Sequence, residues 1–493
     1  MGQFYTNKIK VAIHLAQQTF SQFDEIWLIG LRSNHIDNLK NLGILEKFSN
    51  KLTLLYTYLD FGDLAQYRIT PLPKGNSSYK KVLFALNPEV CLHLRRIVNE
   101  KKRVCIFTPL PNGTLNEYIK KEGACKFTKI TSSIDNIDIF LFVESKLNLN
   151  MILQTENKEI NRYIIPSIIP NKDIGEYKYL FDTKNFGESG LCIQKAISAK
   201  SELDRLKLSD GWKDSFKKKE IKISQYVPNT YPANGSGCIV PVSNKMCRVY
   251  IDNLSKKILD EKNSSFGNDW SRPWEPNILK QYVSSMMYVG RKLYEKFKYT
   301  GLFGVDYIVI GNKSKYSYLL ITEINPRWQG TTIYQTINAL KSNRVPLEIV
   351  HYIIKLNQTK KVLSKICKLM GSEESYNKQS VAKDGIFYLK LKSPKNNFGI
   401  NIQGEYLFTG KELIESNLEK SNKGCKKKNF QINRLDIVNI KYPPKKTDLN
   451  KGIGPVGIVF GNSSKPVFSS KKPAFTHFGK KLYELVNNLI NTK

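Results

Sequence analysis

Apolar positions recur along this chain with two periods, and the changes of period mark its elements. Val11–Leu15, Glu25–Gly30 (EIWLIG), Leu52–Tyr56 and Arg103–Phe107 (RVCIF) are short apolar runs that read as buried strands. Between the last two, Val90–Asn99 (VCLHLRRIVN) has the three-to-four spacing of a helix. Strands alternating with helices predict a parallel-sheet α/β domain over residues 1–135. Residues 138–154 (DIFLFVESKLNLNMILQ) begin as a strand and turn helical.

After Pro166 and Pro170 the punctuation changes. Tyr177–Thr183 is strand-like and ends at Lys184; the loop NFGESG follows, and then LCIQKA is strand-like again. Residues 221–227 (IKISQYV) make another strand, and GCIVPV (237–242) with CRVYID (247–252) reads as a hairpin. A helix is predicted over Asn277–Phe297, where Ile278, Tyr282, Met286, Val289, Leu293 and Phe297 form one apolar stripe. Phe303–Ile310 and Ser317–Asn325 are facing strands joined by GNKSKY, and Val345–Lys355 reads as a helix. The polar, Lys- and Ser-rich stretch near 356–380 is a candidate linker. Residues 380–493 mix strands (GIFYLKL, GIVFG) with Lys-heavy loops and finish in a helix, Gly479–Leu489. No internal repeat is present.

Composition narrows the function classes. No apolar run approaches the roughly 18–20 residues that span a bilayer, and His14, Gln17 and Gln18 interrupt the first one, so it is a poor signal peptide. A cytoplasmic enzyme is the expectation. The net charge of +34 comes from 64 Lys and only 13 Arg. Bidentate recognition of nucleic acid leans on Arg, and the Lys residues are scattered, so solvated lysine faces explain the charge better than a nucleic-acid partner. Eight Cys without a CxxC pair, and five His, give no zinc spacing. No GxGxxG marks a dinucleotide site.

The chemistry lies in GLFGVDYIVIGNKSKYSYLLITEINPRWQGTT, residues 301–332. Glu323 and Asn325 are two apart on a strand and leave the same face. With 311–316 as the turn, Ile310 pairs with Ser317 and Asp306 falls opposite Ile321, on that same face. Asp306, Glu323 and Asn325 would then converge as three hard oxygen ligands suited to Mg²⁺ bound through a nucleotide. Arg327 follows, with a planar fork that matches phosphate oxygens. A second motif, YLFDTKNFGESGLCIQKA (179–196), offers a strand ending in Lys184 and a loop in which Gly187, Glu188, Ser189 and Gly190 could close over phosphates.

In these segments the chain resembles the metal-binding end and phosphate lid of ATP-grasp enzymes, with an Asp strand followed by Glu-x-Asn-Pro-Arg. The resemblance is firm over 178–335 and extends more loosely to 1–177. It implies a mixed α/β (α+β) fold: an N-terminal parallel-sheet domain (1–135), an ATP-grasp fold of two α+β subdomains (136–360), and an appended C-terminal α+β domain (380–493). By resemblance, Asp306, Glu323 and Asn325 hold Mg²⁺, or Mn²⁺ in its place, on the phosphates of ATP, and Arg327 stabilises the transferring phosphoryl group. Lys146 and Lys184 would contact phosphates, and Gln225, Tyr226 and Val227, in SQYVPN (224–229), would meet the adenine edge. No acid ends that strand, Glu220 and Asp252 being the nearest, so ribose recognition is unassigned.

The resemblance further implies a ligase that converts a carboxylate to an acyl phosphate and passes it to an amine, an amino acid or peptide, releasing ADP and phosphate. The segment SSFGNDWSRPWEP (264–276), read as a loop, offers Arg272 as a holder of the substrate carboxylate, walled by Trp270 and Trp274. Small molecules, with a carrier or peptide as a further candidate, are the expected partners. A kinase-like relative that stops at a phosphorylated small molecule, and a basic nucleic-acid binder, are the alternatives.

Overall fold

A computed structural model describes residues 6–29, 39, 42–44, 46–55, 68–70, 89–108, 111, 113–132, 137–145, 148–154, 163–164, 167–168, 179–183, 221–225, 230–259, 265–270, 274–310, 317–378, 386–391, 404–408, 413–415, 437–441, 457–462 and 476–492. Five strands form a parallel sheet near the N-terminus: β1 (Glu25–Ile29), β2 (Leu52–Leu55), β3 (Arg68–Thr70), β4 (Val104–Phe107) and β5 (Thr128–Ile130), in the order β3-β2-β1-β4-β5. Helices α1 (Asn7–Ser21), α2 (Glu89–Asn99) and α3 (Gly113–Lys121) accompany it.

The strand expected at Val11–Leu15 is instead the middle of α1. Over fifteen residues the buried positions are Ile9, Ala12, Leu15, Ala16, Thr19 and Phe20, a helical stripe, while Val11 is exposed. The five-residue window was too short to show that period. Residues 138–144 are likewise helical from the start, in α4 (Ile137–Glu144), followed by α5 (Leu149–Leu153). A short continuous apolar run carries no period, so pattern cannot separate strand from helix there.

The second part is antiparallel. Strands β6 (Ser167–Ile168), β7 (Tyr179–Thr183) and β8 (Ile221–Gln225) form a small sheet in the order β6-β8-β7. A larger, eleven-stranded sheet begins with β9 (Thr230–Pro241), β10 (Cys247–Ile251), β11 (Ser255–Leu259) and β12 (Ser265–Asp269). It continues with β13 (Gly301–Ile310), β14 (Tyr318–Asn325), β15 (Ile386–Leu391), β16 (Gly404–Phe408), β17 (Leu413–Glu415), β18 (Ile437–Lys441) and β19 (Gly457–Asn462). Its order is β14-β13-β9-β11-β12-β15-β19-β18-β16-β17, with β10 on the other part of β9. The expected hairpin 237–252 is present as β9 and β10, but β9 reaches back to Thr230. Its PANGSG stretch looks like a turn; in fact a Cβ at Gly235 would lie 2.3 Å from the Tyr282 ring, so glycine admits that ring against the strand. The start of the expected loop 264–276 is strand β12.

Helix α6 (Pro276–Phe297) lies where predicted and buries the predicted Ile278, Tyr282, Met286, Val289 and Leu293. Beyond it come α7 (Thr332–Lys341), α8 (Leu347–Leu356), α9 (Lys360–Met370), α10 (Glu373–Lys378) and the final α11 (His477–Thr492). The expected linker near 356–380 is therefore largely helical. Ile366 and Met370 are buried with Val362, Leu363, Cys367 and Leu369 packed alongside, and the lysines that suggested a linker occupy the other face. One apolar core runs from α1, β1 and β4 through α8 and α9 to Cys238, Val240 and Leu302, joining the parallel sheet to the large antiparallel one.

Candidate active site

Strands β13 and β14 are buried along nearly their whole length, which makes the polar groups they carry costly to place. Ile310 pairs with Tyr318 rather than Ser317, one residue off the expected register. Continued unbroken, that register would put Asp306 opposite Thr322 and turn Glu323 to the other face. A β-bulge between Asp306 and Tyr307 on β13, where β14 passes from Ile321 to Glu323, prevents this: Tyr307 pairs with Ile321 and Asp306 with Glu323. Thr322, the extra residue, donates its hydroxyl to the Asp306 carbonyl at 3.0 Å. Asn325 pairs with Gly304 two positions along. The expected convergence of Asp306, Glu323 and Asn325 is thus present, reached by a bulge rather than by the expected pairing of Asp306 with Ile321.

Around Asp306 the chain supplies both a charged and an amide partner. Asn234 on β9 donates to Oδ1 at 2.6 Å, and Lys257 on β11 reaches Oδ2 at 2.9 Å. Asn234 Oδ1 accepts from the Thr331 hydroxyl at 3.2 Å, and Gln329 Oε1 accepts from Ser236 at 2.7 Å. Gly304 makes room for this network, because a Cβ there would sit 1.9 Å from Gln329 Cδ. Arg327 donates through Nε to Glu144 Oε1 at 2.7 Å, through Nη2 to Asn325 Oδ1 at 2.9 Å, and through Nη1 to the Trp328 carbonyl at 3.2 Å. Its fork, expected to face phosphate, is here anchored between α4 and the end of β14.

The donor set fits a hard cation. Two carboxylates stand directly opposite each other, an arrangement that destabilises a sheet unless positive charge lies between them, and an amide oxygen follows on the same face. Among the described residues no three His, Cys, Asp or Glu gather into a metal cage. Asp306, Glu323 and Asn325 would hold Mg²⁺ or Mn²⁺ only with help from a ligand's oxygens. Asp252 is not a candidate ribose ligand: it is buried, Arg344 Nη1 lies 3.5 Å from its Oδ1, and burial pushes its carboxyl up to about 6 against the pull of Arg344.

Comparison with solved structures settles the architecture. The chain superposes on the biotin carboxylase domain of Hydrogenobacter thermophilus 2-oxoglutarate carboxylase, in complex with MgADP, ADP and bicarbonate, with a TM-score of 0.54. Identity is 11%, over 90% of this chain and 87% of that one. Biotin carboxylase from Campylobacter jejuni, in a β-γ-ATP complex, gives a TM-score of 0.55 at 10% identity, over 95% of this chain and 97% of that one. Biotin carboxylases are ATP-grasp proteins. The chain has the ATP-grasp fold. No protein-family model and no curated protein sequence matches it. At such identities the likeness extends to the fold alone, so the site residues of this chain stand on their own geometry.

Of the residues the sequence singled out, Asp306, Glu323, Asn325 and Arg327 come together. Gln225 ends β8 and pairs with Tyr179 on β7, at the small sheet. Lys146, Lys184, Gly187, Glu188, Ser189, Gly190, Tyr226, Val227 and Arg272 lie outside the described residues. The sequence reading missed Lys257, Asn234, Gln329 and Glu144. Lys257 is one of 64 lysines, and Asn234 sits in a stretch that mimics a turn. Glu144, two residues before Lys146, is the one with a usable signal, being an acid that ends an apolar run.

Proposed function

We propose that this chain is an ATP-dependent, Mg²⁺-requiring ligase, which activates a carboxylate as an acyl phosphate and transfers the acyl group to an amine. The observation that carries this reading is the Asp306–Glu323 pair, brought face to face by the Thr322 bulge and extended by Asn325, within an ATP-grasp fold. The MgADP and ATP-analogue complexes of the solved neighbours support the choice of cofactor. Bound there, Mg²⁺ would supply charge stabilisation to the transferring phosphoryl group. Lys257 and Arg327 lie at the same hairpin, where their charges would offset the negative charge that builds on the phosphoryl oxygens. In this reading Lys146, Lys184 and the loop Gly187–Gly190 bind phosphates, Gln225–Val227 flank adenine, and Arg272 holds the substrate carboxylate. The division into 1–135, 136–360 and 380–493 belongs to the same proposal. No helix among the described residues is long and apolar enough to cross a membrane, and a cytoplasmic enzyme is part of the reading.

The test is phosphate release from Mg·ATP against a panel of amino acids, dipeptides and simple carboxylates, with mass spectrometry of the positives. ADP together with a condensed product supports the ligase. ADP with a phosphorylated small molecule replaces it with a kinase-type reaction, and a protein that binds no Mg·ATP overturns the reading of the site.

A further inference from the structure

Asp306 and Asn325, two of the residues expected to face a metal, are already engaged within the chain. Asp306 Oδ2 carries the Lys257 ammonium at 2.9 Å, and its Oδ1 carries the Asn234 amide at 2.6 Å. Asn325 Oδ1 accepts from Arg327, which Glu144 anchors from the other side. The Lys257 and Asp306 side chains are only 18% and 11% exposed, so little water screens their attraction. Glu323, paired directly across from Asp306, brings a second negative charge to the same strand pair. Lys257 therefore stands where positive charge is required to keep two facing carboxylates together.

A divalent cation arriving alone meets an unfavourable exchange. It must displace the ammonium from Asp306 and then remain close to it, with the oxygens of Asp306, Glu323 and Asn325 filling only part of its coordination shell. A polyphosphate changes both terms. Its oxygens give Lys257 and Arg327 anionic partners at short range, and they complete the coordination shell that two carboxylates and one amide leave open.

We infer that Lys257 is a resident counter-cation, which closes the metal position to a bare divalent ion and yields it when a nucleotide's phosphates arrive. Metal and nucleotide then load together. The inference rests on the proposed metal-site reading of Asp306, Glu323 and Asn325, and concerns what controls that site.

Mn²⁺ titration of the full-length chain, read by the electron paramagnetic resonance of free Mn²⁺ with and without saturating ADP, tests it. Lys257→Met removes the charge and keeps the length of the side chain; Lys257→Arg keeps the charge. The wild-type chain should bind Mn²⁺ alone weakly and at least about tenfold more tightly with ADP, since a charge contact this short is worth more than a tenfold change. Lys257→Met should bind Mn²⁺ alone about tenfold more tightly than wild type, and Lys257→Arg should not. Equal Mn²⁺ affinity of wild type and Lys257→Met without ADP, with Mn²⁺ still bound alongside ADP in both, overturns the inference and leaves the proposed function standing. Absence of Mn²⁺ binding in wild type and Lys257→Met, with or without ADP, removes the metal site and the proposed function with it. Lys257→Gln, followed by circular dichroism and thermal melting, repeats the comparison should the Met variant fold poorly.

Discussion

Glu25 on β1 and Asp306 on β13 are both carboxylates on largely buried strands, and their surroundings differ in kind. Glu25 opens β1, the middle strand of the parallel sheet, within a shell of donors: both Arg96 Nη atoms at 2.7 Å, Trp27 Nε1 at 2.9 Å and Lys102 at 3.5 Å. Burial works against its charge, but the hydrogen bonds from Arg96 and Trp27 and the charges of Arg96 and Lys102 outweigh that. Its carboxyl is held below the usual range. The rest of β1 and all of β4 are apolar and buried. Asp306 lies within a buried ladder, has Lys257 and the Asn234 amide among its partners, and faces another carboxylate. A fold gains nothing from opposing two carboxylates, whereas it gains a satisfied edge from the fork on Glu25. The parallel sheet uses charge to close its rim; the antiparallel sheet spends stability to keep charge at a site.

The largest contrast should come from one substitution in each sheet. Glu323→Gln removes half of the facing pair and should lower ATP turnover by at least about a hundredfold, as loss of preorganised charge at a reacting centre typically does. Its urea midpoint should hold or rise, because a like-charge contact is relieved. Phe107→Ala, in the core packed on Phe20 and Tyr352, should do the reverse. It should cost about 3–5 kcal/mol of stability and leave turnover per folded molecule near wild type. Parallel denaturant and turnover measurements decide it: a Glu323→Gln enzyme with near-normal turnover would break the comparison.

These assignments explain what could be read before the structure. The helix at 276–297 and the strands at 301–325 are long and periodic, and the sequence pattern located both to within a few residues. Asp306, Glu323 and Asn325 could be grouped because side chains two apart on a strand share a face. What the pattern did not carry was the bulge, since nothing in LLITEIN marks Thr322 as the residue that drops out of pairing. Lys257 and Asn234 were beyond reach for a different reason: each meets Asp306 from another strand, across 49 and 72 residues of chain. Such contacts exist only once the order β13-β9-β11 is known. The linker reading near 360 failed because lysines on an exposed helix face resemble a solvated linker when the buried stripe is short.

A smaller effect should follow from filling the space beside Asn325. Gly304→Ala would place a methyl 1.9 Å from Gln329 Cδ, so Gln329 must leave its bonds with Ser236 and Thr331. Thr331 also supports Asn234, which orients Asp306. Turnover should fall on the order of tenfold to a hundredfold, the usual result of sub-ångström to ångström displacement at a reacting site. Stability should fall by about 1–3 kcal/mol. If Gly304→Ala loses stability without losing turnover, the Gln329 network belongs with the structural charge of the parallel sheet rather than with the site.

The seam between the two sheets carries the smallest and most specific signal. His351 on α8 accepts the Leu302 N–H of β13 at Nδ1 (3.1 Å), and its Nε2–H then donates to the Thr131 carbonyl just beyond β5 (2.7 Å). A proton on Nδ1 would break the first bond, so the ring must stay neutral. Burial, with the charge of Lys355, pushes the imidazole down to about 3 despite the favourable pull of Thr131. An unfolded histidine titrates near 6.5, so above that pH both states are neutral and the contribution of His351 is fully present. As pH falls from about 6.5 toward about 3 the unfolded chain takes up a proton that the folded chain refuses. Stability should then drop by up to about 1.4 kcal/mol per pH unit from this group. His351→Gln cannot take up that proton, so it should be less stable than wild type at pH 7 by urea denaturation, with the gap narrowing as the pH is lowered to 5. A gap that stays constant over that range would show that the histidine takes up protons equally in both states. The seam would then be held by packing between α1 and α8 rather than by a neutral ring bridging two strands.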